Sequence, residues 1–197
     1  DPMADGKTIQ NAMTRALKNR TDADKVFAMI RALRKEGLST TLIIMTYYNI
    51  IYSYGREPFL KEMKRLGVEG VIVPDLPFNE DAEFQMTAQK HGVEIIGLVA
   101  PNTNEERKMQ ILNGSRLFTY LVSLSGTTGA RDKVSKESLE FVRNTRKMAG
   151  NGKRLLVGFG ITKAEHVKQY EQAGADGVIV GSAIIEIYSK CQNSEAA

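Results

Sequence analysis

Apolar residues along this chain follow two rhythms that alternate from one end to the other. Near the start, Ile9, Met13, Ala16 and Leu17 recur at helical spacing, as do Val26, Phe27, Ile30 and Leu33. The second set follows Thr21-Asp22-Ala23-Asp24, whose side chains can accept the unpaired N–H groups of a helix start, and it closes at Gly37. From there short unbroken apolar runs take turns with helical patterns. The runs predict strands over Thr41–Tyr47, Val71–Asp75, Glu94–Ala100, Leu117–Ser123, Arg154–Phe159 and Val178–Val180. The patterns between them predict helices over Pro58–Leu66, Glu80–His91, Asn104–Leu112, Ser135–Met148 and Lys163–Ala173, with another beginning near Ala183. Runs without polar alternation read as strands buried on both faces, which is the habit of parallel sheets. Six strands alternating with helices therefore give an all-parallel α/β fold.

A faint internal repeat narrows the architecture. Leu66-Gly67-Val68-Glu69-Gly70-Val71-Ile72-Val73 echoes Ala173-Gly174-Ala175-Asp176-Gly177-Val178-Ile179-Val180. Repeated βα steps suit a (β/α)8 barrel better than a doubly wound sheet with one switch point. Ligands of either fold lie at the C-terminal strand ends. Here those ends are Tyr47 and Asn49, Asp75, Pro101 and Asn102, the loop Ser123–Arg131, Gly158–Gly160, and Gly181–Ser182. The last two are glycine turns that each lead into a helix. Glycine lets backbone N–H groups come close to a ligand, and a helix N-terminus favours an anion, so the pair reads as a phosphate site. The plainer reading is that both glycines only permit tight turns. The loop Leu124–Arg131 is small, polar and glycine-rich, suited to a lid or to an ordinary solvated loop. Asp5 stands just before a helix, where an aspartate is commonly a cap. Asp75, at the end of a buried run before Leu76-Pro77, is less easily read that way.

Composition changes this picture little. The chain has 197 residues, 42% hydrophobic and 25% charged, enough for one core without a second domain, so residues 1–197 read as a single domain. The net charge of +4 suits an anionic small molecule but is too diffuse for nucleic acid. A single cysteine, Cys191, excludes an internal disulfide framework and a thiolate metal site, and fits a reducing cytoplasm. No apolar run is long enough for a membrane span, and no signal peptide is evident. His91 and His166 fall in helical patterns away from the strand ends, so no Ser/His/Asp triad or metal site emerges; Walker A and GxGxxG motifs are absent too.

The strand-end residues also carry a resemblance. Asp1-Pro2-Met3-Ala4-Asp5-Gly6…Thr8-Ile9-Gln10, Met45-Thr46-Tyr47-Tyr48-Asn49, Val73-Pro74-Asp75-Leu76-Pro77, Ala100-Pro101-Asn102, Thr119-Tyr120-Leu121-Val122-Ser123…Gly126-Thr127-Thr128-Gly129-Ala130, Gly158-Phe159-Gly160-Ile161 and Gly181-Ser182-Ala183-Ile184 resemble, in order, the motifs of the α subunits of tryptophan synthase. The resemblance runs along essentially the whole chain. It implies a (β/α)8 TIM barrel, of which about six of eight strands are found here. The activity implied is cleavage of indole-3-glycerol phosphate to indole and glyceraldehyde 3-phosphate. The partner implied is a β subunit that receives the indole and carries pyridoxal phosphate, this subunit having no cofactor of its own.

By the same resemblance, Asp5 is the catalytic aspartate that hydrogen-bonds the indole N–H. Gly129, Gly158, Phe159, Gly160, Gly181 and Ser182 hold the substrate phosphate and its surroundings. Thr128 is the lid threonine that meets the aspartate, and Tyr120 lies near the substrate. Ile9, Met45 and Ile72 wall the indole, while Asn49 and Asp75 lie toward the subunit interface. Three departures stand out. The family places two strands and a helix ahead of the Asp1–Gly6 loop, the second strand bearing a glutamate that acts as general acid and base, and no residue here matches it. The final helix stops soon after Cys191, and Lys7 stands where proline is common. A polypeptide of these residues alone is thus expected to be a poor catalyst. Two further readings stay open: a non-catalytic relative that binds and modulates a β subunit, and another phosphate-binding barrel, an isomerase or epimerase. The Pro2–Gly6 turn and the Gly126–Ala130 loop weigh against the last.

Overall fold

The computed structural model describes residues 5–122, 134–158 and 161–195, and in it the chain is α/β with parallel sheets. Its elements follow the sequence pattern: α1 (Lys7–Lys18), α2 (Ala23–Lys35), β1 (Leu42–Met45), α3 (Tyr48–Tyr54), α4 (Arg56–Arg65), β2 (Val68–Ile72), α5 (Ala82–His91), β3 (Glu94–Ile95), β4 (Leu98–Val99), α6 (Glu105–Gly114), β5 (Thr119–Val122), α7 (Lys136–Ala149), β6 (Leu155–Gly158), α8 (Ala164–Gln172), β7 (Gly177–Ile179) and α9 (Ser182–Glu195). They divide between two compact units.

The first unit holds residues 16–97 with the short segment 115–117, and its sheet runs β1-β2-β3, all parallel. Phe27, Ile51, Phe59, Leu60, Met63 and Phe84 pack its core, with Phe27 and Phe59 edge to face at 5.1 Å. Helices start where the sequence offers a cap: Asp22 accepts the Lys25 N–H and Asp81 the Phe84 N–H, each at 2.9 Å. Glu94, 5% exposed, accepts the backbone N–H groups of Arg116 and Leu117 at 2.8 Å and so ties down the segment 115–117.

The second unit holds residues 2–15, 98–114 and 118–197, and its parallel sheet runs β4-β5-β6-β7. Leu121, Val157, Leu155, Val142 and Ile111 are buried. The buried hydroxyls of Ser138 and Tyr170 satisfy each other at 2.9 Å. Helices α1 and α9 are joined by a Thr8–Glu186 hydrogen bond of 3.0 Å and an Arg15–Ser189 bond of 3.1 Å.

Three expectations change. The run Glu94–Ala100, expected as one strand, is two: Gly70 and Val71 of β2 pair with β3, whereas β4 pairs with β5, so seven strands are described rather than six. The expected helix Pro58–Leu66 is preceded by another, α3; Gly55, at φ +93°, breaks the two apart in a conformation that L side chains rarely adopt. Finally, β2 starts directly after the Gly67 turn and ends at Ile72, leaving Asp75 in a turn closed by the Leu76 N–H on the Val73 carbonyl at 3.2 Å.

One feature of the strand starts was not read from sequence. Arg34, at the end of α2, donates to the carbonyls of Leu38, Thr40, Leu66 and Gly67 at 2.7–3.2 Å. Arg146, at the end of α7, donates to Gly150, Lys153 and Gly174 at 2.7–2.8 Å and pairs with Asp176. Each guanidinium fastens the turn before one strand to the turn before the next, and each does so at one copy of the sequence repeat. Its rigid fork of donors suits it to several carbonyls at once.

Candidate functional site

In the second unit, the β5, β6 and β7 C-termini are in register: Val122 lies beside Gly158, and Gly158 beside Ile179. Tyr120, two residues before Val122, sends its ring along the sheet onto Gly158. A Cβ on Gly158 would stand 1.9 Å from the Tyr120 hydroxyl oxygen and 2.2 Å from Cζ. Gly158 does not have a positive φ, so the close approach of the ring is what calls for glycine here. Tyr120 is 5% exposed, and its pKa is pushed up to about 12, first by burial and then by the Asp5 carboxylate. Two candidates far apart in sequence thus act on one ring.

Asp5 sits just ahead of α1. Gly6 takes the cap position, its carbonyl accepting the Gln10 N–H at 3.0 Å, while the Gln10 side chain donates to the Asp5 carbonyl at 2.8 Å. Ile9 is half-buried on α1. Beyond β7, Gly181 carries the Ile184 N–H on its carbonyl at 3.0 Å and leads into Ser182, the first residue of a 14-residue helix with no acid in its first turn. Space around the Gly181 Cα is open, with nothing within 4 Å of a built Cβ. A long helix opening on exposed glycine, with no competing carboxylate, can receive an anion.

In the first unit, Met45 and Ile72 are partners in register at the ends of β1 and β2, Met45 half exposed and Ile72 buried. Asn49 is exposed on α3. Asp75 has a role that the sequence reading did not give it: both of its oxygens accept the Tyr48 N–H, at 2.9 and 3.1 Å, capping α3 from 27 residues away. Thr128, Gly129, Phe159 and Gly160 lie outside the described residues.

The histidines stay apart from these groups. His91 lies 3.5 Å from Glu57, and buried His166 takes the Thr162 N–H on Nδ1 at 3.5 Å. Among the described residues no cluster of three or more His, Cys, Asp or Glu could hold a metal, and no helix is long and apolar enough to cross a membrane.

The sequence model of the family described as "Tryptophan synthase alpha chain" matches residues 1–197. The chain belongs to the tryptophan synthase alpha chain family. It is 47% identical to the tryptophan synthase alpha chain of Thermococcus kodakarensis over 193 residues, covering 98% of this chain and 76% of that one. Identity to the alpha chain of Methanocaldococcus jannaschii is 44%, over 96% of this chain and 66% of that one. Among solved structures, a chain of the tryptophan synthase α2β2 complex from Pyrococcus furiosus superposes with a TM-score of 0.88 at 42% identity, covering 96% of this chain and 75% of that one. Membership of the alpha chain family makes the strand ends described above the place to look for lyase chemistry.

Proposed function

We propose that this chain is the catalytic α subunit of a tryptophan synthase, built as one (β/α)8 barrel domain and working in the cytoplasm. It splits indole-3-glycerol phosphate into indole and glyceraldehyde 3-phosphate and hands the indole to a β subunit. Pyridoxal phosphate belongs to that partner, and this subunit needs no cofactor. The observation that carries the reading is the Asp5 carboxylate acting on Tyr120, whose ring lies on Gly158 at the strand ends.

In this reading the indole donates its N–H to Asp5, and Ile9, Met45 and Ile72 are the apolar residues that the family resemblance assigns to the indole. Protonation at C3 puts positive charge on the ring nitrogen, and a fixed carboxylate beside that nitrogen stabilises it while the bond from C3 to the glycerol carbon breaks. The glycerol hydroxyl gives up its proton and becomes the aldehyde. Gly158, Gly181 and Ser182, with Gly129, Phe159 and Gly160, take the phosphate on backbone N–H groups and the start of α9. Thr128 closes the lid toward Asp5, Tyr120 packs beside the substrate, and Asn49 and Asp75 lie on the side that meets the partner. Proton transfer falls to the glutamate that the family carries ahead of the Asp1–Gly6 loop. A polypeptide limited to residues 1–197 should therefore turn over about 10²–10⁴-fold more slowly than one with that group.

The test is Asp5→Asn in the full-length protein, with indole release and glyceraldehyde 3-phosphate binding measured together. Indole release should fall by at least about 10²-fold while phosphate-ester binding stays within a few-fold. Retained indole release would remove Asp5 from the chemistry. Loss of folding and binding together would reduce it to a structural role.

A further inference from the structure

Helix α3 is an odd element to find at the end of a strand. It is seven residues long, it starts with no cap from its own Tyr47, and its sequence Tyr-Asn-Ile-Ile-Tyr-Ser-Tyr favours extended structure. Such a helix takes its orientation from what holds it. Its C-terminal half is held by buried Ile51 and by Tyr54, whose ring packs on Phe27 and Phe59 and whose hydroxyl donates to Asp24 at 2.9 Å. Tyr48 holds the first turn. Its N–H is taken by both Asp75 oxygens. Its ring stands edge to face against buried Phe84 at 5.8 Å. Its hydroxyl donates to Asp81 and accepts from Arg56 Nε at 2.8 Å.

The groups around that hydroxyl are themselves committed. Asp81 caps α5 through the Phe84 N–H and pairs with Arg56 at 3.1 Å. Arg56 also reaches Glu83 at 2.7 Å and lies over the Tyr52 ring at 5.5 Å from its centroid. The positive charge at the start of α4 is thus matched by two carboxylates. What α3 shows to solvent is then uncharged: Asn49, Ile50 at 43% exposure, Tyr52 at 65% and Ser53. An exposed aromatic and an aliphatic flanked by amide and hydroxyl suit a protein surface with an apolar hollow and hydrogen-bonding rim.

We infer that Tyr48 is a positioning residue for partner engagement, its hydroxyl locking α3 so that Asn49, Ile50 and Tyr52 meet the β subunit in one fixed orientation. The inference rests on the proposed α-subunit reading, in which this face meets the partner. The structural neighbour from Pyrococcus furiosus belongs to an α2β2 complex, which supports a β subunit as the occupant. Preorganising a short helix lowers the ordering that association must otherwise supply.

The experiment uses the full-length protein, a purified tryptophan synthase β subunit, and Tyr48→Phe. This change keeps the ring on Phe84 and leaves Asp81 and Arg56 paired, so no charge is orphaned. Binding is followed by titration calorimetry, and indole release with and without the β subunit. The expected result is affinity for the β subunit weakened about tenfold or more, with stimulation lost at subsaturating partner. Indole release by Tyr48→Phe alone should match the unsubstituted protein within about twofold. If Tyr48→Phe binds as well as the unsubstituted protein, the inference fails while the α-subunit reading stands. A fall in unpartnered activity that follows the loss of thermal stability also overturns it, since that is a merely structural effect. If the unsubstituted protein neither binds nor responds to the β subunit, the α-subunit reading falls and the inference with it.

Discussion

Gly158→Ala offers the sharpest test of the strand-end geometry. Only a methyl group is added, yet it would stand 1.9 Å from the Tyr120 hydroxyl oxygen, 2.2 Å from Cζ and 2.6 Å from Cε1. To regain ordinary contact near 3.4 Å, the hydroxyl would have to retreat by about 1.5 Å, the difference between 3.4 and 1.9 Å. Tyr120 sits on β5 with both flanking strands paired and is 5% exposed, so the ring has little room to give. Overpacking of this kind costs about 1–3 kcal/mol. Against it stands a gain of about 0.4–1 kcal/mol, because alanine restricts the unfolded chain at a site where φ is not strained. The net expectation is a loss of about 1–2 kcal/mol, read as a lower urea midpoint at unchanged slope. A ring displaced by more than an ångström beside a reacting group can also cost about 10²-fold in indole release.

The control is Tyr120→Ala. In that background the methyl meets no ring, so Gly158→Ala should be neutral or slightly stabilising. The double-mutant cycle should then return a coupling of at least about 1 kcal/mol. If alanine costs the same in both backgrounds, the Tyr120 ring is not what demands glycine at position 158. If the single substitution leaves both midpoint and indole release unchanged, the packing described here is wrong.

Two further predictions follow from the same structure. Arg146→Ala removes donors from three carbonyls and the partner of Asp176, so it should destabilise by about 2–4 kcal/mol while leaving the substrate KM within about twofold; Arg146→Lys should recover only part, since an ammonium cannot span the same acceptors. The phenol of Tyr120, raised from 10.0 to about 12, binds its proton more tightly in the folded state; its share of stability is whole below about pH 10 and is lost as pH climbs toward 12. Burial with the Asp81 hydrogen bond raises the Tyr48 phenol too, and the Asp24 hydrogen bond with burial raises that of Tyr54. The Tyr120 step in an ultraviolet titration is therefore identified as the late ionisation that is absent in Tyr120→Phe and shifted earlier by Asp5→Asn, with alkaline denaturation of Tyr120→Phe correspondingly less steep.

What the sequence disclosed was whatever depends on neighbours in the chain. Helix starts at Asp22, Asp81 and Ser135 were legible because cap and capped N–H lie three residues apart. The buried runs of β5 and β6 were legible because no residue in them is charged, whereas β2 was read three residues late because exposed Glu69 interrupts its start. Helix α3 was not, because its cap comes from Asp75, far along the chain, and its own residues read as extended. The same distance explains why Asp75 did not read as a cap. Tyr120 and Gly158 were each named as site residues, but their contact depends on the register of two strands, which no local pattern encodes. Glu94–Ala100 read as one strand because the change of pairing partner leaves no mark in composition.

The sequence repeat and the two arginines together explain why the strand starts and the strand ends differ in character. The copies Leu66–Val73 and Ala173–Val180 match through the glycine turn and the strand, and that is where Arg34 and Arg146 bind their carbonyls. Past the last valine they part: one copy continues into Pro74-Asp75, the other into Gly181-Ser182. Asp75 spends its carboxylate on a helix start, whereas Gly181-Ser182 leaves a helix start open to an anion. A shared framework at the strand starts needs the same turn each time, so the residues there repeat. The strand ends are free of that demand, and each can take the side chain its own task requires. Substitutions on the two sides should therefore separate cleanly in measurement: those at the arginine clamps lower the unfolding midpoint and spare substrate binding, those at Gly181 and Ser182 do the reverse, and Asp5→Asn spares both while lowering indole release.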